Sequence, residues 1–159
     1  MTTTAFDVIR ALQGKTLATA ESLTGGGIGA ALTAVPGASA VFKGGVISYT
    51  DEVKRDVLGV SAQVLQHHGA VSAETACAMA TGVRKLLKAD YAISVTGLAG
   101  PAGDDFGHSV GTVFIGYANA AGCFAREYHF SGDRQAVRTQ TIDAALSLIL
   151  ENVEISGCR

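Results

Sequence analysis

The chain has few cysteines and none of the spacings that cysteine-based sites require. Its three cysteines, Cys77, Cys123 and Cys158, are widely separated and include no C-x-x-C pair. An odd number of scattered cysteines argues against both a disulfide framework and a zinc site. We therefore expect no disulfide framework, no metal site and no cofactor, and a reducing, cytoplasmic location.

Long apolar runs are also absent. No segment approaches the roughly 20 apolar residues that a membrane span needs, and the start MTTTAFDVIRALQ lacks a basic stretch followed by an apolar region. We expect no membrane partner and no export. Internal repeats, low-complexity segments and linkers are missing too, so the 159 residues predict one domain, 1–159.

An excess of positive charge is missing as well. The 12 Lys and Arg residues are outnumbered by 14 Asp and Glu residues, and the net charge is −2. The cations are scattered and form no aromatic–basic surface, whereas nucleic-acid-binding proteins usually carry a basic patch. We therefore expect a small-molecule partner and no nucleic acid.

Glycine and apolar residues are abundant, with 20 glycines and 48% hydrophobic residues, a mixture typical of α/β proteins with tight turns. Apolar periodicity predicts strands at 15–21, 41–50, 91–97, 110–118 and 123–130, and helices near 6–12, 28–32, 51–59, 61–69, 72–89 and 131–151. Alternating elements followed by a hairpin predict an α/β fold. We expect a three-layer α/β/α sandwich with a mixed, mostly parallel central sheet.

The segment ATAESLTGGGIGAAL, residues 18–32, places Ser22 between a predicted strand and a predicted helix. Backbone N–H groups at a helix N-terminus are unpaired and stabilise negative charge. A serine there can attack a carbonyl, while Gly25 and Gly26 let a substrate approach the amides. The alternative, which spacing alone favours, is that Ser22 or Thr24 simply caps the helix.

A nucleophilic serine needs a base, and histidine is poorly placed to serve. The four histidines are His67, His68, His108 and His129. None shows a triad context or metal-ligand spacing, so we expect all four to be solvated.

The segment YTDEVK offers a substitute base. Tyr49 ends a predicted strand and Lys54 lies one turn into the next helix, so a phenol and an amine can both face Ser22. A lysine whose pKa is lowered by burial can take the serine proton. Spacing alone favours the alternative of an exposed Lys54 paired with Asp51.

The segment SGDRQAVR places Arg134 and Arg138 four residues apart at a helix start, where two guanidinium groups can bind one phosphate. The alternative is a solvated face on which the arginines pair with Asp133 or Glu127.

Three predicted strands end in polar or glycine-rich segments, at 21–27, 49–54 and 96–103. Ligands collect at the carboxyl ends of strands in such sheets, so these segments should converge on one site. Thr96 and Gly100 are then expected to contact the substrate. The alternative is that GLAGPAGDD is a connecting loop with Asp104 and Asp105 in solvent.

The ordered set of motifs resembles the CinA C-terminal domain family, the nicotinamide-mononucleotide amidases. The motifs are TAESLTGG, GGVISYTDEVK, LGV, HGAVSAET, ADYAISVTGLAGP, VGTVFIGYA and SGDRQAVR, and they extend from about residue 5 to residue 150. The resemblance implies hydrolysis of nicotinamide mononucleotide to nicotinic acid mononucleotide and ammonia, and a homodimer or larger homo-oligomer.

The resemblance also implies roles for individual residues. The family serine falls on Ser22, and Tyr49 and Lys54 match its strand-end tyrosine and helical lysine. Thr24, Gly25 and Gly26 would shape the pocket, while Arg134 and Arg138 match the arginines that we expect to bind the 5′-phosphate. The chain departs from the family pattern at Asp51, where relatives carry Asn, and at His108, near which they carry Lys-Pro.

Two other functions fit the sequence less well. A non-catalytic module could bind a nucleotide phosphate through the two arginines and turn nothing over. A nucleic-acid partner is disfavoured by the acidic balance of charge.

Overall fold

The computed structural model describes residues 3–157. The strands are β1 (Leu17–Glu21), β2 (Phe42–Ile47), β3 (Tyr91–Gly97), β4 (Thr112–Asn119) and β5 (Gly122–His129). The helices are α1 (Ala5–Ala11), α2 (Gly27–Thr33), α3 (Asp51–Asp56), α4 (Ala62–His68), α5 (Ala73–Leu87) and α6 (Arg134–Gly157), with a short 3-10 helix at Ala38–Ala40.

The strands form one sheet in the order β2-β1-β3-β4-β5. Strand β1 pairs in parallel with both β2 and β3, whereas the β3–β4 and β4–β5 pairings are antiparallel. Within residues 3–157, β4 is therefore the one strand that runs against the others. Glu21 lies opposite both Ile47 and Val95, so β1, β2 and β3 end at the same edge of the sheet.

Helices cover both faces of this sheet, as the α/β/α prediction requires. One apolar core contains Leu17 of β1, Ile28 of α2 and Ile149 of α6. The other contains Ala18 of β1 and Met79 of α5. Neighbouring residues of β1 point to opposite faces, and all five are buried because the strand is covered on both sides.

Most helices begin and end near the predicted positions, for identifiable reasons. Ser72 caps α5 by accepting a hydrogen bond from the Thr75 amide, and Lys88 ends the helix in a left-handed conformation. Helix α1 forms as predicted, but Phe6 is 56% exposed and contributes nothing to the core. Its buried face is formed by Val8 and Ile9.

One pair of cysteines is bonded, although their spacing argues against a disulfide framework. Cys77 on α5 and Cys123 on β5 are joined, with their Cα atoms 5.8 Å apart. Helix α5 packs across the sheet onto the edge strand β5, and this packing brings together two residues that are 46 positions apart. Cys158, the third expected thiol, lies outside the described residues.

No helix within residues 3–157 is long and apolar enough to cross a bilayer.

Candidate active site

A cleft of about 490 Å³ lies at the shared edge where β1, β2 and β3 end. The three segments that were expected to converge all contribute to its wall. The segment after β1 supplies Ser22 and Leu23, the segment after β2 supplies Tyr49 to Asp51 and Lys54, and the segment after β3 supplies most of residues 96–106. Three residues outside these segments, Ala70, Val71 and Arg134, complete the wall. This volume is suited to a small molecule.

Ser22 and Lys54 are in direct contact in this cleft. The Nζ atom of Lys54 donates hydrogen bonds to Ser22 Oγ at 3.0 Å and to the Ser48 carbonyl at 2.7 Å. Lys54 is 1% exposed, so the alternative of an exposed Lys54 paired with Asp51 is wrong. Burial lowers the pKa of Lys54 to about 8, although the nearby Asp51 charge acts to raise it.

The local chain path explains why Lys54 points inward. Thr50 caps α3 by accepting a hydrogen bond from the Val53 amide, so the helix starts almost directly after β2. Lys54 falls on the turn of α3 that faces the end of β1. The Lys54 carbonyl accepts from the Val60 amide, which ties the outgoing chain back onto the helix.

Glu21 organises the turn that carries Ser22, and sequence reasoning did not select it. Its Oε1 accepts from Thr24 Oγ1 at 2.6 Å and from the Ile28 amide at 2.8 Å, and its Oε2 accepts from the Gly29 amide at 2.9 Å. A buried carboxylate of the chain itself therefore occupies the N-terminus of α2. The sequence signal that could have identified Glu21 is its position, as an acidic residue at the end of a buried strand, where a charge needs partners.

One expectation and one alternative for this turn are wrong as a result. The first amides of α2 are not open to a substrate oxyanion, because the Ile28 and Gly29 amides donate to Glu21. Neither Ser22 nor Thr24 caps the helix: its N-cap is Gly26, which has no side chain to accept a hydrogen bond.

The glycine run is explained by backbone conformation and close packing. Gly25 and Gly26 have φ values of +60° and +100°, a region that favours glycine. A Cβ on Gly27 would lie 2.5 Å from Ile142 Cδ1 of α6, so only glycine lets these two helices approach so closely. The cleft wall contains none of these glycines.

The structure separates Arg134 from Arg138. Arg134 lines the cleft and donates to the Gly100 carbonyl at 2.6 Å and to Tyr49 Oη at 2.9 Å, linking the segments after β2 and β3. Tyr49 is 57% exposed, and its hydroxyl is bonded to Arg134 rather than to Ser22 or Lys54.

Arg138 is not among the residues that line the cleft, whereas Arg134 is. Its Nε donates to the Leu23 carbonyl at 3.0 Å and its Nη2 to the Thr24 carbonyl at 3.1 Å. Arg138 therefore holds the backbone of the Ser22 turn. Among the described residues, neither arginine makes the alternative ion pair with Asp133 or Glu127.

Thr96 and Thr24 are buried framework residues of the site. Thr96 Oγ1 donates to the Ala70 carbonyl at 2.7 Å, which joins two segments that line the cleft. Thr24 is fully buried, with its hydroxyl on Glu21. Gly100 lies in the wall with φ +96°, and its carbonyl accepts from Arg134.

The loop between β3 and β4, residues 98–111, is organised by Asp104. Its Oδ1 accepts from the Phe106 amide at 3.1 Å and the His108 amide at 2.9 Å, and its Oδ2 lies 2.8 Å from His108 Nδ1. Partial burial raises the pKa of Asp104, but the hydrogen bonds from His108 and Phe106 outweigh it and leave the pKa below its usual value. His108 is therefore partly buried and bonded to Asp104, not solvated as expected, and the alternative of a solvated Asp104 is wrong too, whereas Asp105 is exposed.

The remaining histidines match the expectation. His67, His68 and His129 are all exposed, and the cleft wall includes none of them.

The profile of the CinA C-terminal domain matches residues 2–153. The chain belongs to this family. It is 47% identical over 138 residues to a CinA-like protein of Solibacter usitatus and 50% identical over 133 residues to one of Geobacter metallireducens. These alignments cover 87% and 84% of this chain but only 33% and 32% of the relatives, so the chain spans about a third of their length.

Solved structures of the same family share the fold. A CinA superfamily protein of Klebsiella pneumoniae superposes with a TM-score of 0.91 at 38% identity, covering 94% of this chain and 95% of that one. A competence/damage inducible protein of Agrobacterium tumefaciens gives 0.89 at 37% identity, covering 92% of each chain.

Proposed function

We propose that the chain is an amidase that hydrolyses nicotinamide mononucleotide to nicotinic acid mononucleotide and ammonia, with Ser22 as nucleophile. The observation that carries the proposal is the contact of the buried Lys54 amine with Ser22 Oγ at 3.0 Å in the cleft. Burial brings the pKa of this amine to about 8, close enough to neutrality for the deprotonated form to be populated. A serine activated by a neutral lysine is an established route to acyl transfer.

The reaction proceeds in two steps. Ser22 Oγ attacks the carboxamide carbon while its proton moves to the neutral Lys54 Nζ, and the ammonium formed then protonates the departing nitrogen, which leaves as ammonia. Water next attacks the acyl-serine ester and gives a proton to Lys54, which passes it to Ser22 Oγ as the C–Oγ bond breaks and the acid is released. The Ser48 carbonyl, 2.7 Å from Nζ, orients the amine throughout both steps.

The oxyanion donors come from the turn and not from helix α2. In the described part of the chain, the amides of Leu23 and Thr24 donate to no protein group, and Leu23 lies in the cleft wall beside Ser22. We assign these two amides to the tetrahedral oxyanion. Loss of one such donor typically costs about 3 kcal/mol of barrier.

Arg134 is the residue that we assign to the 5′-phosphate. It is exposed in the cleft, and its guanidinium is already held in place by Gly100 and Tyr49. A fixed guanidinium suits the planar, bidentate recognition of a phosphate. Tyr49 then acts through Arg134, because its hydroxyl accepts a hydrogen bond from that side chain.

Ammonia release from the purified chain tests the proposal. We expect turnover of nicotinamide mononucleotide that Ser22→Ala abolishes, whereas Ser39→Ala, a change at an exposed serine away from the cleft, has no effect. Nicotinamide and its riboside should be poorer substrates, because they lack the phosphate.

Binding without turnover would identify the alternative, a nucleotide-binding module. If wild-type chain binds the mononucleotide through Arg134 but releases no ammonia under any pH tested, the amidase proposal is wrong. The exposed guanidinium in the cleft is the observation that favours this alternative.

A further inference from the structure

Phe106 is a large apolar residue left half-exposed in the wall of the Ser22 cleft. Its side chain is 49% exposed, although phenylalanine is usually buried. Exposed apolar surface inside a concave pocket is typical of a ligand contact. Neither the proton transfer nor the phosphate contact described above uses this ring.

The ring lies against Gly69, and the backbone of Phe106 belongs to a hydrogen-bonded loop. Its backbone amide donates to Asp104 Oδ1 at 3.1 Å, within the network that fixes the 98–111 loop. Its Cε2 and Cδ2 atoms lie over Gly69, where a Cβ would come within 2.7 Å of the ring. Gly69 thus leaves room for the ring against the cleft wall, and the exposed part of the ring is presented to whatever fills the cleft.

The charges around the ring favour a cation. Three acidic residues, Asp51, Asp104 and Asp105, line the same cleft, against two basic ones, Arg134 and Lys54. The face of an aromatic ring carries partial negative charge and attracts cations, most strongly where water is excluded. A ligand with a cationic ring and an anionic phosphate would match both parts of this wall.

We propose that Phe106 stacks on the pyridinium ring of the substrate and makes the site selective for the cationic ring over its neutral, reduced form. The inference rests on the proposed amidase function for the identity of the ligand. It adds a specificity determinant to the residues that bind the phosphate and perform the chemistry.

Equilibrium binding to the Ser22→Ala chain tests the proposal without turnover. The two probes are nicotinamide mononucleotide and its dihydro form, which share the ribose, phosphate and carboxamide but differ in ring charge. We expect Phe106→Leu to weaken binding of the cationic probe about tenfold and of the neutral probe less than about twofold. Phe106→Tyr should restore the preference, because it restores the aromatic face.

The controls separate this inference from the amidase proposal. Phe6→Leu, at an exposed phenylalanine on α1, should leave both affinities unchanged, and thermal unfolding should show that Phe106→Leu is folded. Equal weakening for both probes, or no weakening, would overturn the role of Phe106. Absence of ammonia release by wild-type chain would instead overturn the amidase proposal and leave the binding comparison intact.

Discussion

The Gly29 amide of α2 donates to Glu21 Oε2 at 2.9 Å, so a buried carboxylate joins strand β1 to the helix that follows it. The other carboxylate oxygen accepts from the Thr24 hydroxyl and the Ile28 amide. The charge of Glu21 is therefore placed where the positive end of the helix stabilises it. Ser22 lies in the turn between β1 and α2. This network fixes the turn that carries Ser22, the proposed nucleophile.

Replacement of Glu21 by glutamine should be costly despite the similar shape. A carboxamide presents an N–H₂ group to at least one of the three donors that Glu21 now accepts from. We expect a loss of about 2–3 kcal/mol in unfolding free energy, measured by denaturant titration. Glu52→Gln, at an exposed position on α3, is the matched control and should change stability by less than about 0.5 kcal/mol.

Lys54 should control the pH dependence of turnover. In the proposed mechanism the neutral amine is the active form, so kcat/KM should rise with pH and level off above about 8, the pKa to which burial lowers Lys54. Lys54→Arg keeps the charge but cannot deprotonate, and should lower kcat about 100- to 10,000-fold with little change in KM. Lys15→Arg, at an exposed site, is the control. A pH profile in Lys54→Arg that matched wild type would remove the lysine from the proton transfer.

The same group should make stability depend on pH. The folded pKa of about 8 lies below the ordinary value of 10.5, so between these values the unfolded chain binds more protons than the folded one. Stability contributed by Lys54 is therefore lowest below about pH 8 and rises through this window, by about 3 kcal/mol in all. The measurement is the unfolding free energy of wild type minus that of Lys54→Met across the window. A flat difference would mean that the folded pKa is not lowered.

The sequence was sufficient to predict the alternating strands and helices, the hairpin and the convergence of three strand ends, because each depends on local periodicity and on a general property of α/β sheets. It also indicated Ser22 and Lys54 as partners, although spacing alone favoured an exposed lysine. That error has a physical cause: the burial of Lys54 depends on how α3 packs against the end of β1, which is a tertiary contact.

The same limit explains the other differences. Glu21 is recognisable as important only when the Ile28 and Gly29 amides are seen to point at it. The four-residue spacing from Arg134 and the family resemblance predict a phosphate contact for Arg138, but its guanidinium donates to the Leu23 and Thr24 carbonyls. The hydrogen-bond partners of a long side chain depend on which groups lie near it in the folded structure, and spacing along one helix does not predict them.

The two arginines should respond differently to removal. Arg134→Gln should raise KM for the mononucleotide about tenfold or more but affect the phosphate-free riboside little, because a charged phosphate contact is lost. It also frees Tyr49 and Gly100, so Tyr49→Phe, which removes only the hydroxyl partner, is measured beside it. Equal effects of Arg134→Gln on both substrates would show that Arg134 organises the cleft wall instead of binding phosphate.

Arg138→Met should lower kcat for both substrates alike, because the change loosens the Leu23–Thr24 backbone that we assign to the oxyanion. We also expect it to lower the unfolding free energy by about 1–3 kcal/mol, since the Leu23 and Thr24 carbonyls lose a charged donor. Steady-state kinetics on the mononucleotide and riboside, with thermal unfolding, make the comparison. A selective loss for the phosphorylated substrate would return Arg138 to the phosphate site.

The Cys77–Cys123 bond should make stability respond to reducing agents. It closes a chain segment of 46 residues between α5 and β5, and a cross-link of this length is expected to contribute about 4 kcal/mol by restricting the unfolded chain. The oxidised, denatured chain should show one reactive thiol and the reduced chain three. Reductant should lower the melting temperature of wild type and of Cys158→Ser but not that of the Cys77→Ser, Cys123→Ser double variant. If reductant leaves wild type unchanged and three thiols react without it, the two cysteines lie side by side as free thiols, and α5 is held on β5 by packing alone.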